Sequence, residues 1–381
     1  MRRTPVAALL LAVLLAVAGC STTEGASGTG SGPSPDPTTG SASPSGPASG
    51  TRGAPAGRVL ATHVDRVVAT GLRAPWGLAF LPDGSALVSE RDSHRVLRVS
   101  PAGATRVVGT VAGVRGDGEG GLLGLALSPT YASDHLLYAY YTHGGENVVA
   151  RLTYDGNRLS GQRIIFGGIP SASIHNGGRL AFGPDGMLYV ATGEAGRGSP
   201  AQDRGDLGGK ILRLTPQGRP APGNPFPGSP VWSYGHRNVQ GLAWDAQGRM
   251  WASEFGQNTW DELNRIVKGG NYGWPVVEGR SGDGRYRNPA RQWHTDEASP
   301  SGIAIAGNAV YLAALRGARL WQVPLVGGRT AQPRALLVGR YGRLRTVAVA
   351  PDGSLWVMTN NTDGRGDPRP GDDRILRLTL S

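Results

Sequence analysis

LAFLPDG at Leu78–Gly84, LAFGPDG at Leu180–Gly186 and VAVAPDG at Val347–Gly353 are three copies of one phrase. Each is a short apolar run closed by Pro-Asp-Gly. That ending predicts a strand running into a tight turn: proline presets φ, aspartate bonds its own backbone and glycine supplies positive φ. Looser copies follow the same plan in LALSPTY from Leu125, in LAWDAQG from Leu242 and in the segment from Ile303. The units are about 45 to 60 residues long, and a strand, a turn and a second strand repeated at that spacing mark the blades of a β-propeller. The chain therefore reads as all-β, a six-bladed β-propeller. Strand pairs are legible as LVSE with RVLRV, HLLYAYY with NVVARLTY, LYVATG with KILRLT, MWASEF with ELNRIV, VYLAAL with LWQVPL, and LWVMT with RILRLT. No stretch holds an apolar period near 3.6, so helix should be scarce. The last strand, Ile375–Leu380, is expected beside Thr62–Val68, because pairing the two ends closes the ring and removes exposed edges.

Outside the repeats the composition changes. Two arginines precede an apolar run from Ala7 to Ala18, which ends in Val17-Ala18-Gly19-Cys20. Residues 1–20 read as a lipoprotein signal peptide with Cys20 as the lipidated residue, the run being too short to span a bilayer. Residues 21–57 are almost entirely Gly, Ser, Thr, Pro and Ala and read as a disordered tether. Residues 58–381 form the propeller domain. The expected location is outside the cell, lipid-anchored to the outer face of the membrane. Cys20 is the only cysteine, which excludes disulfides and thiolate metal sites. The 39 basic and 28 acidic residues give a net charge of +11. With arginines scattered over every unit and export expected, this is a solvated basic surface near an anionic envelope, and no nucleic-acid partner is implied.

Inner strands of a propeller converge on one axial mouth, so residues far apart in sequence can meet there. His175, in SIHNGGRL, directly precedes the strand of the third unit. Imidazoles ordinarily titrate at about 6.5, close to neutral pH, which suits a general base. Arg237 and Asn238, in YGHRNVQG, stand in the equivalent place before the fourth unit, and Arg343 and Arg345 before the sixth. Alternate strand positions share a face, and converging guanidinium forks suit a carboxylate-rich ligand. The run SEFGQNTWDELNRIVKGGNYGWP, from Ser253, offers carboxylates and free carbonyls, the oxygen ligands a hard cation such as calcium takes, or else a polar loop that solvates itself. Three long loops, Gly193–Gly209, Pro220–Pro230 and Gly273–Ser301, are expected to wall the mouth. GDGEGG at Gly116–Gly121 is followed by no helical pattern, which argues against a dinucleotide site, and the folded part contains neither GxSxG nor HExxH.

At these same segments the chain resembles the soluble pyrroloquinoline-quinone-dependent glucose and aldose sugar dehydrogenases. The resemblance runs from Val64 to Leu378 through GEGGLLGLA, HNGGRLAFGPDG, GGKILRL, YGHRNVQGLAW, DELN, GGNYGWP and the final RLR with APDG. It implies a six-bladed propeller that oxidises an aldose sugar using pyrroloquinoline quinone (PQQ) and calcium. His175 would be the proton acceptor. Arg237, Asn238, Arg343 and Arg345 would hold the quinone and its carboxylates, with Glu119 beside the cofactor and Glu194 on the substrate side of His175. The carbonyls of Gly256 and Gln257 would bind the calcium that polarises the quinone, and Glu262 and Tyr272 a second, structural calcium. Electrons would leave to an external acceptor, a quinone or cytochrome. The chain departs from the glucose enzymes in three places. Arg316, in AALRGARL, is the only cation near their lysine, Gln257 replaces their proline, and WHTDEASPSG carries no legible aromatic lid, which implies a more open mouth. The readings that compete are a non-enzymatic cell-surface propeller binding a glycan or protein, and a calcium-dependent lactonase, for which only Glu119 and Glu194 are available acids.

Overall fold

The innermost strand of each unit is short and mostly buried: Pro75–Phe80, Leu122–Leu127, Leu180–Phe182, Val239–Trp244, Pro300–Ala306 and Leu344–Val349. In the computed structural model, which describes residue 60 and residues 62–381, each of these strands begins one of six antiparallel sheets. Five sheets have four strands and the fifth blade has five. Helix among the described residues is limited to Tyr131–Asp134 and a 3-10 turn at Ser199–Gln202. The signal peptide and the tether lie outside the described residues.

Glycine lets the inner strands crowd the axis. A Cβ at Gly124 would sit 2.1 Å from the carbonyl oxygen of Gly178 in the next blade, and one at Gly77 would sit 2.7 Å from that of Leu123. Gly241 and Gly302 hold the same place in blades four and five, at 2.5 Å from the Ser301 carbonyl and 3.0 Å from the Thr346 Cα. The apolar faces of neighbouring sheets then pack on one another. Tyr138, Tyr140 and Val149 of blade two meet Leu188, Val190 and Leu212 of blade three, and Trp251 and Leu263 of blade four meet Val310 and Leu312 of blade five. Thr62–Ala69 pairs antiparallel with Ile375–Leu380, from Thr62 opposite Leu380 to Ala69 opposite Ile375, so the first described strand becomes the outer strand of the last blade.

Antiparallel alternation sends successive loops to opposite faces. Each inner strand runs away from the mouth, so the Pro-Asp-Gly turns lie on the far face, while the links between second and third strands return to the mouth. Gly193–Gly209 is such a link and reaches it. Pro220–Pro230 does not: it joins the third strand of its blade, Lys210–Leu214, to the fourth, Val231–Tyr234, and so lies on the far face. Gly273–Ser301 is not loop throughout, since it contains the outer strand Arg291–His294. The chain climbs back beside Tyr234, which bridges to Asn271, and Trp274, Pro275, Val276 and Glu278 line a cavity at the mouth.

Candidate active site

His175 sits on the entry to blade three with a left-handed backbone, φ 56°, a conformation that non-glycine residues rarely adopt. Three partners hold it there. Its N–H donates to Glu119 Oε2 at 2.9 Å, its carbonyl accepts from the Ala195 N–H at 3.1 Å, and its ring Nδ1 bonds Glu194 Oε1. With Nδ1 engaged by Glu194, Nε2 is the ring nitrogen left to meet a ligand. The ring lines a cavity of about 710 Å³ whose walls include Glu194, Arg237, Trp274 and Glu278. The other oxygen of Glu194 is buried without a partner.

Arg237 crosses the same cavity with its guanidinium 5.4 Å from the Trp274 ring. Burial pulls its proton affinity below the ordinary value, against the opposing charges of Glu194, Glu278, Glu119 and Glu254. Its Nε is buried with no acceptor. Asn238 is buried at 2% exposure, and its Oδ1 accepts from the Gly177 N–H at 2.9 Å. It therefore braces the loop that carries His175.

A narrow adjoining well of about 40 Å³ is lined by Trp76, Arg91, Glu119, Arg343, Arg345 and Arg365, among others. Arg343 donates to Asp363 Oδ2 at 3.0 Å, and Arg345 donates to Asn360 Oδ1 at 2.7 Å and Gln240 Oε1 at 3.0 Å. Beneath them Arg179 lies 4.4 Å over the Trp76 ring and donates to the Gln240 carbonyl at 2.7 Å. Burial lowers Arg179 to about 9, with Arg345 adding repulsion, and lowers Arg345 to about 10 against the pull of Asp363. These shifts record buried positive charge that an anion would offset. The carboxylates bonded to this group among the described residues are Asp92, Glu119 and Asp363. Five arginines against three carboxylates leave the well cationic, and the Nε of Arg343 is buried without a partner. Arg316 is exposed, one residue beyond Leu315, which lines the well.

The four metal candidates are not equivalent. Gly256 and Gln257 lie on the mouth loop after Ser253–Glu254, with their amides engaged by Asp261 and Glu278. Glu262 is buried, accepting from the Gly279 N–H and from Asn264 Nδ2, each at 2.8 Å. Burial and the neighbouring Glu254 charge push it up to about 8. The hydroxyl of Tyr272 donates to the Arg265 carbonyl at 2.7 Å and accepts from Val267 N–H at 2.9 Å, so its side chain is already engaged. Its ring stacks at 4.6 Å on His236, which is tied to Glu254 and Ser233. Among the described residues no three His, Cys, Asp or Glu side chains form a metal cluster.

Sequence reasoning missed Arg179, Arg365, Asp363, Trp76 and Glu278. Arg179 carried a signal, since it replaces the axial glycine of the repeat in GGRLAF. Asp363 and Arg365 sit in an irregular loop between strands Leu355–Thr359 and Ile375–Leu380, where no pattern marks them.

An imidazole bonded to a carboxylate and a group of buried guanidiniums thus meet at the mouth of a six-bladed propeller. The sequence pattern of the glucose/sorbosone dehydrogenases matches residues 72–376, and the chain belongs to that family of oxidoreductases. The aldose sugar dehydrogenase of Streptomyces coelicolor, solved in a PQQ-bound form, is 58% identical with a TM-score of 0.83, covering 86% of this chain and 100% of that one. The aldose sugar dehydrogenase YliI of Escherichia coli is 30% identical, over 76% of this chain and 88% of its own length. Quinoprotein glucose dehydrogenase B of Acinetobacter calcoaceticus is 33% identical over 58% of this chain and 54% of its own.

Proposed function

We propose that the protein oxidises the anomeric hydroxyl of an aldose sugar to the lactone, with PQQ and calcium as cofactors and His175 as general base. The observation that carries this reading is the pairing, across one mouth, of His175 on Glu194 with cationic groups whose nitrogen donors lack acceptors. Buried Nε atoms of Arg237 and Arg343 without partners are what an acidic cofactor would satisfy. A cavity of about 710 Å³ has room for a cofactor and a sugar together. For calcium, the carbonyls of Gly256 and Gln257 are the available oxygens, and calcium accepts backbone carbonyls readily.

When bound, the quinone supplies an electrophilic carbonyl carbon that accepts hydride, and calcium strengthens that electrophile. The chain's own residues do the rest. His175 Nε2 takes the hydroxyl proton of the sugar as the anomeric carbon releases its hydrogen with the electron pair of the C–H bond, and Glu194 stabilises the imidazolium formed. Arg237, Arg343 and Arg345 would bind the cofactor's carboxylates and so hold it in register with His175. Glu119 fixes the His175 backbone, and Arg365, 2.6 Å from Glu119, fixes Glu119 in turn. Two electrons leave afterwards to an external quinone or cytochrome. The protein is further proposed to be exported and lipid-anchored through Cys20; labelled fatty acid should appear on the wild type and not on Cys20→Ser.

The test is reconstitution of purified protein with PQQ and calcium, followed by dye reduction with a panel of aldoses. Turnover that requires both cofactors is expected. No reduction with any aldose overturns the reading.

A further inference from the structure

The backbone N–H groups of Gln257, Asn258, Thr259 and Trp260 all donate to one atom, Oε1 of Glu278, at 2.7, 3.0, 2.9 and 3.0 Å. The amide just before them, that of Gly256, donates to Asp261 Oδ1 at 2.9 Å. A trans peptide is planar, so the carbonyl of one residue points opposite to the N–H of the next. Amides 257 and 258 drawn toward Glu278 therefore turn the carbonyls of Gly256 and Gln257 away from it. Gln257, Asn258 and Glu278 all line the His175 cavity.

We infer that Glu278 is a positioning residue which presets the Gly256 and Gln257 carbonyls to receive a divalent cation; this rests on the function proposed above. Four amides on one oxygen leave the loop little freedom to rotate a peptide unit. Gly256 tightens it further, since a Cβ there would lie 2.0 Å from the Trp260 carbonyl oxygen. Gln257 matters through its backbone: a proline has no N–H, and here that N–H makes the shortest of the four bonds.

The experiment titrates the chelator-stripped full chain with calcium chloride by calorimetry and records thermal midpoints in parallel. Glu278→Ala should weaken calcium binding by about tenfold or more, the usual effect of losing a partner that orients a ligand. Glu278→Gln keeps an oxygen at the same reach and should stay within about threefold of wild type. Glu278→Asp keeps the charge but withdraws it by one methylene and should lose affinity as alanine does, which preserves the test if the alanine variant fails to fold. Glutamine behaving as badly as alanine would mean that the charge acts, as in direct ligation, and overturns the positioning role. Unchanged affinity in the alanine and aspartate variants overturns it too while leaving the enzyme assignment standing. A wild type that takes up no calcium removes both.

Discussion

Two cavities of nearly equal size lie on opposite faces of the propeller. The far-face one, about 750 Å³, is formed by hairpin turns of blades four and five around Asp245, Arg249, Asn308 and Gly328. The mouth cavity is about 710 Å³. Volume does not separate them. On the far face the charges are matched: Asp245 takes bonds from Arg249 Nε at 2.7 Å and Trp251 Nε1 at 3.0 Å. At the mouth, Glu194, Arg237 and Arg343 each keep a buried polar atom without a partner. Between these two cavities, the difference is unspent hydrogen-bonding capacity, kept at the mouth and absent from the residues that line the far-face hollow.

The sharpest way to break this contrast is His175→Ala. Turnover should fall by about 100-fold or more while quinone binding survives, read by stopped-flow reduction beside a binding titration. An unchanged rate would make the mouth no more catalytic than the far face. Arg345→Met should weaken quinone binding by about 10- to 100-fold, the range for losing a hydrogen bond to a charged group, followed by equilibrium titration. Glu194→Gln, which keeps the shape but removes the charge that favours an imidazolium, should lower kcat by on the order of tenfold and less than loss of the base itself.

Glu262 gives a subtler handle on the mouth side. Its folded pKa of about 8 lies above the ordinary 4.5, so the native state holds a proton that the unfolded chain releases. Its contribution to stability is present in full below 4.5 and is lost as pH rises through about 8. Calorimetry in chelator should show a thermal midpoint falling across that window, and Glu262→Gln should flatten the fall. At the small end, Gln247→Ala in the far-face turn should leave kcat and KM within about twofold and stability within about 0.5 kcal/mol, as for most surface changes. A large effect there would show that the far-face cavity has a role of its own.

The legible parts were those written in local pattern. Pro-Asp-Gly turns and alternating strands led to six blades, and the need to cover exposed edges led to their closure through the first and last strands, which pair as Thr62–Ala69 with Ile375–Leu380. His175, Arg237, Arg343 and Arg345 were visible because each stands at the entry to an inner strand, a position the repeat itself defines. The direction of the loops was less visible: Pro220–Pro230 looks like any other long insertion until the count of strands before it assigns it to the far face. Asn238 reads as a ligand beside Arg237, and its Oδ1 also accepts from the Gly177 N–H, 61 residues away. Arg365 meets Glu119 across 246 residues, a contact that no local spacing records.

The amino-acid sequence alone determined the number of blades, their order and the residues delivered to the axis, because strand period and turn chemistry are local properties of the chain. Only the tertiary structure decided which of those residues are spent on one another and which still face the cavity. That division depends on where six separately built sheets place their polar atoms, within hydrogen-bonding distances of about 3 Å. A sequence repeat of about 45 to 60 residues cannot specify placement so fine.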